Sequence, residues 1–120
     1  MSAALRGTYG GDLTKVDTWF AEQFAYLLSE MKKVPEGEGT LLDSSLMFWT
    51  NELEHGEVHN RRNLPFVLAG KAGGQLSTGR LLRYQREPHN KLYTSFLNLF
   101  GVDATGFGEP DFQGTLSGFV

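Results

Sequence analysis

The sequence contains no cysteine. That absence excludes disulfides and thiolate metal sites, and it leaves the redox compartment open. A metal ion would have to be held by imidazole, carboxylate, amide or water, a donor set that suits zinc, calcium, magnesium or manganese. No apolar run approaches the roughly 18 residues that a membrane-spanning helix needs. The opening "MSAALRGTYGG" has neither the charged start nor the apolar centre of a signal peptide, so the expected compartment is the cytoplasm. Basic charge is also scarce. Lys and Arg number 11 against 14 Asp and Glu, the net charge is −3, and Arg61–Arg62 is only a small local basic cluster. Neutralising phosphates needs clustered cations, so neither nucleic acid nor an anionic membrane is an expected partner.

What is present fits one soluble domain. The 120 residues, 40% hydrophobic and 21% charged, are expected to form a single α/β domain over 1–120 with a modest core. The 15 glycines gather around residues 7–11, in "EGEGT" and in "GKAGGQLSTG", which read as turns or close backbone approaches.

Asp12 or Thr14 can cap a helix running to about Lys33. Val16, Trp19, Phe20, Gln23, Phe24, Leu27, Leu28 and Met31 recur at three- and four-residue spacing, which predicts one broad buried face. Lys32 and Lys33 complement the dipole at its end, and "VPEGEGT" stops it. After the turn-like "LLDSS", the run "SLMFWT" (45–50) predicts a strand buried on both faces, as in the middle of an α/β sheet. A long loop leads to "LPFVLAG" (64–70), a second buried strand, and "RLLRY" (80–84) is a possible third. "PHNKLYTSFLNLFG" predicts a helix with Leu92, Phe96, Leu99 and Phe100 on one face and Gly101 as its stop. The tail is expected to be irregular and packed through its Phe residues. The architecture is thus a small three-layer-like α/β fragment of two or three strands and two main helices. So few strands would leave an apolar edge, which predicts completion by self-association or by a larger parent protein.

The chemistry-bearing stretch is "TNELEHGEVHN" (50–60), which packs Glu52, Glu54, His55, Glu57 and His59 just beyond the first strand. In α/β sheets, functional groups collect beyond strand ends. Carboxylates with imidazoles can ligate a divalent ion, or a carboxylate can orient a histidine for acid–base work. The plainer reading is a solvated acidic loop. The spacing is not the helical HExxH pattern, and Gly56 breaks helical geometry. "GKAGG" has phosphate-loop composition without the Walker spacing, so turn chemistry is favoured there, and His89 reads as a helix cap or an exposed residue.

The pattern "TLLD-S-L-WTNEL-G-H-NLPFVLAG-AGG-TGR-LR" resembles the C-terminal part of the bacterial domain-of-unknown-function 1552 family, over a span from about Val16 to the final "GTLSGF". Members of that family are usually exported and look distantly related to the alkaline phosphatase and sulfatase superfamily. The resemblance implies a metal ligand at Glu52, with Asn51 beside it where the superfamily has an Asp-His pair, and a second ligand at His59 before "NLPFVLAG". Asn51 in place of a carboxylate favours a single metal over a two-zinc site. The superfamily's nucleophile and other ligands come from an N-terminal part that these residues do not include.

Two functions follow as expectations. One is a small metal-dependent hydrolase of phosphate or related esters, or the metal-site half of one. Glu52 and His59 would be its ligands and Glu54 or His55 the proton carrier on a small ester substrate. The other is a non-catalytic assembly domain that homo-oligomerises through its sheet edge and aromatic helix face.

Overall fold

The computed structural model describes residues 3–54 and 57–120. Helix α1, Ala3–Met31, begins well before Asp12 and runs through the glycine cluster at 7–11. No proline interrupts this stretch, and a glycine inside a helix costs only about 1 kcal/mol relative to alanine. Those glycines are therefore helical rather than turn residues. At the far end the Lys33 ammonium meets the Glu30 carboxylate at 2.6 Å. Pro35 then opens a small antiparallel hairpin, β1 (Pro35–Glu36) with β2 (Gly39–Thr40), around Gly37 in the left-handed region.

The segment that reads as a turn after this hairpin is one helical turn, α2 (Leu41–Ser44). Its start is closed by Asp43, whose Oδ2 accepts from both the backbone N–H (3.0 Å) and the hydroxyl (2.6 Å) of Thr40. Strand β3 (Met47–Thr50) then pairs antiparallel with β4 (Phe66–Ala69), Phe48 opposite Leu68 and Trp49 opposite Val67. The expected place in the middle of a wider α/β sheet is not found; the sheet is a two-stranded antiparallel pair, and β3 is only half-buried. The connection of residues 51–65 folds straight back, and only a crossover could return the chain in parallel. Gly70 ends β4 at φ +97, where an added Cβ would stand 2.2 Å from the carbonyl oxygen of Ser45. Only glycine allows that approach.

Alternation along β3 divides the molecule into layers. Phe48 turns to one side, where its ring stacks on Phe66 at 5.7 Å and meets Phe96 edge-on at 5.5 Å. Trp49 turns to the other, 5.5 Å from Phe24 of α1. On the Phe48 side lies α3 (Asn90–Leu99), and the core is built here from Ala72, Leu76, Leu92, Leu99 and Phe119. Ser95, buried on α3, accepts from the N–H of Leu116 at 3.0 Å and so ties the tail to the helix. The result is a small α/β fold of helices and two two-stranded antiparallel sheets, with the larger sheet between α1 and α3.

Three expectations need correction. "RLLRY" is not a strand; Leu81 is 77% exposed, and the segment is fastened to the tail by side chains. Arg80 donates to the carbonyls of Ser77 (2.9 Å), Gly118 (3.1 Å) and Phe119, and Tyr84 donates to that of Ser117 (3.0 Å). Phe100 stands beyond the last residue of α3 and is exposed rather than on its buried face. The irregular tail packs through Phe119, which is buried, and through Phe107, whose half-exposed ring meets Tyr93 edge-on at 5.3 Å, whereas Phe112 is exposed. Most consequential is α1. Phe24, Leu28 and Met31 are half-buried, but Val16, Trp19, Phe20, Gln23 and Leu27 face solvent. The two-stranded sheet and α2 reach only the last turns of a helix that is about 43 Å long at 1.5 Å per residue. Among the described residues no helix is long and apolar enough to cross a membrane.

Candidate functional site

The loop 51–65 starts where β3 ends, and hydrogen bonds close it at two levels. At its base the hydroxyl of Thr50 donates to the carbonyl of Pro65 at 2.8 Å. Further out, the N–H of Glu54 donates to the carbonyl of Asn60 at 2.8 Å, and the Asn60 amide returns a bond to the Glu54 carboxylate at 2.6 Å. The other end of the Asn60 amide accepts from the N–H of Arg62 at 3.0 Å. Asn60 is therefore the keystone of the loop, a role the sequence signals only as one more polar residue. His59 and Asn63 hold left-handed backbone at φ 50 and φ 53, a conformation His and Asn tolerate better than most residues.

Glu52, Glu54, Glu57 and His59 are exposed, and His55 lies outside the described residues. The Glu54 carboxylate closes the loop through Asn60, whatever further work it does. Among the described residues no group of three or more His, Asp and Glu side chains gathers as a metal cluster. The antiparallel pairing also changes the meaning of the loop's position. It is a long hairpin connection, and the rule that places sites at the carboxyl ends of parallel strands does not apply to it.

A second polar constellation lies elsewhere. Asp43 Oδ1 receives the Lys71 ammonium at 2.8 Å while its Oδ2 serves Thr40. The bond from Lys71, followed by those from Thr40, lowers the Asp43 carboxyl from its ordinary 3.8 to about 2. The pair borders a half-open cleft of about 420 Å³ between the end of α1 and β4, with Lys32 and Thr78 on its rim. The Thr-x-x-Asp spacing from Thr40 to Asp43 is a helix-start signature and could have announced the carboxylate's role. Nothing in the sequence pairs it with Lys71, which belongs to "GKAGG". That segment forms a tight turn over Ala72–Gly74, as turn chemistry predicts. The ring of His89 makes no capping bond and packs edge-on to Tyr93 at 5.5 Å.

No protein-family model, curated protein or solved structure matches this chain.

Proposed function

We propose that this chain is a non-catalytic assembly module whose role is to associate through the face of α1. One observation carries the reading: Val16, Trp19, Phe20 and Leu27 are each 43% to 54% exposed along one side of one helix. Contiguous apolar surface of this kind, unlike scattered single residues, marks association. The open edges of the β3–β4 pair add hydrogen-bonding groups that a further strand could satisfy. Light scattering coupled to sizing chromatography at micromolar concentration tests it. A dimer or larger species is expected, and a monomer throughout that range rules the reading out.

A second reading is a metal-dependent hydrolase of phosphate or related esters, or the metal-site half of one. It is supported by the tied loop, which holds His59 in a left-handed conformation a short way along the chain from the candidate ligand Glu52, and it fits the family resemblance. Glu52 and His59 would hold a divalent ion, which when bound supplies Lewis-acid activation. Glu54 or His55 would take the proton. Two protein donors fall short of the three that catalytic zinc uses, so the remainder would come from a second copy or from further chain. Elemental analysis of metal-equilibrated protein, with and without His59→Ala, is the test. Stoichiometric metal that the substitution removes is expected, and no bound metal ends this reading.

A further inference from the structure

The exposed side of α1 carries more than hydrophobicity. Val16, Phe20, Gln23 and Leu27 follow one another at steps of four, three and four residues. That is the alternating step of a coiled-coil seam. The series is also symmetric under reversal. Turning the helix end for end about the midpoint of residues 21 and 22 places Val16 on Leu27 and Phe20 on Gln23. The seam lies beside the stripe of Phe24, Leu28 and Met31 that meets the body, so a second helix could lie on it without displacing that packing.

The flanking positions select a direction. At the start of the seam Asp12 and Asp17 outnumber Lys15, with Arg6 lying further toward the N-terminus; Glu22 stands at the midpoint, and the end carries Lys32 and Lys33 against Glu30. A parallel copy would set acid on acid and base on base. An antiparallel copy sets the acidic start over the basic end, and the helix dipoles then oppose each other favourably.

We infer that α1 pairs with the α1 of a second copy as an antiparallel two-helix seam, an inference that rests on the assembly reading. In this arrangement Val16 sits on the partner's Leu27 and Phe20 beside the partner's Gln23. Trp19, 54% exposed, lies along the partner's Tyr26, and Tyr26, 64% exposed, lies along the partner's Trp19. Asp12 reaches the partner's Lys33, so Asp12 exchanges its 3.3 Å contact with Lys15, and Lys33 its 2.6 Å contact with Glu30, for one across the seam. The two-fold axis repeats every contact, so the dimer is closed and presents no second copy of the same face.

The absence of native cysteine makes the test clean. Val16→Cys and Leu27→Cys proteins are mixed in equal amounts, equilibrated and oxidised under native conditions. Disulfide between the two different variants should dominate, because in the antiparallel seam two Val16→Cys positions lie 11 residues apart, about 16 Å. Dominant Val16→Cys self-linking would overturn the antiparallel arrangement. A dimer by light scattering with no cross-link at either position would place the interface elsewhere, sinking this inference while the assembly reading stands. A monomer would sink both. As an independent check, Asp12→Lys should weaken dimerisation about tenfold through two repeated contacts, and adding Lys33→Asp should restore it. No restoration would also overturn the proposed register.

Discussion

At the scale of single residues, Asp43 concentrates the most local information. It closes the start of α2 through Thr40 and binds Lys71 from beyond β4. Its carboxyl is lowered from 3.8 to about 2, so its contribution to stability is fully present above about pH 4 and is lost as pH falls through about 2. Asp43→Asn is therefore expected to flatten the acid limb of the stability profile between those values while lowering stability at neutral pH. Urea titrations at several pH values, for wild type and variant, check this. A variant whose acid limb matches the wild type would show that Asp43 does not titrate with folding. Half of this arrangement was legible in the sequence, since Thr40 and Asp43 stand at capping distance along the chain. The other half depends on the backbone bringing "GKAGG" against α2, which local spacing does not encode. The same distinction applies in the acidic loop. Its ligand-type residues were evident, but the bond between Glu54 and Asn60 was not, because it joins two residues across a turn whose course no periodicity specifies.

At the scale of elements, the apolar runs located β3 and β4, and helical spacing located α3 and α1. What failed was the inference from apolar character to surroundings. "SLMFWT" reads the same whether its two faces meet helices in a parallel sheet or meet α1 and α3 across a single antiparallel pair. "RLLRY" has strand-like composition, but Arg80 and Tyr84 find carbonyl acceptors in the tail, and side-chain bonds replace a ladder. The Phe48 ring joins β4 and α3 to β3, since it meets Phe66 of β4 and Tyr93 and Phe96 of α3. Phe48→Ala is expected to destabilise the fold by about 3 kcal/mol through lost burial and a residual cavity. Val67→Ala, on the paired strand but 43% exposed, should cost less than about 1 kcal/mol. Chemical denaturation of the two variants side by side decides this, and equal losses would mean that the Phe48 side of the sheet is not the principal core.

At the scale of the whole molecule, the Cα radius of gyration is 16.7 Å and the principal extents are 49 × 40 × 21 Å. A compact chain of this length would have a radius of about 14 Å. The excess follows from a helix longer than the body that supports it. The breadth of the apolar face was readable from spacing, but how much of it the remaining residues could cover was not, because coverage depends on the summed size of the other elements. This mismatch also gives the two tryptophans separate surroundings. Trp49 is wedged between sheet and helix beside Phe24, whereas Trp19 is on the outer side of the arm. Their emission should therefore resolve two events. Dilution through the association range should red-shift the Trp19 contribution in a Trp49→Phe protein and leave the spectrum of a Trp19→Phe protein in place. Denaturant should shift both. Intrinsic fluorescence thus offers a way to time docking and unfolding separately, without any attached dye.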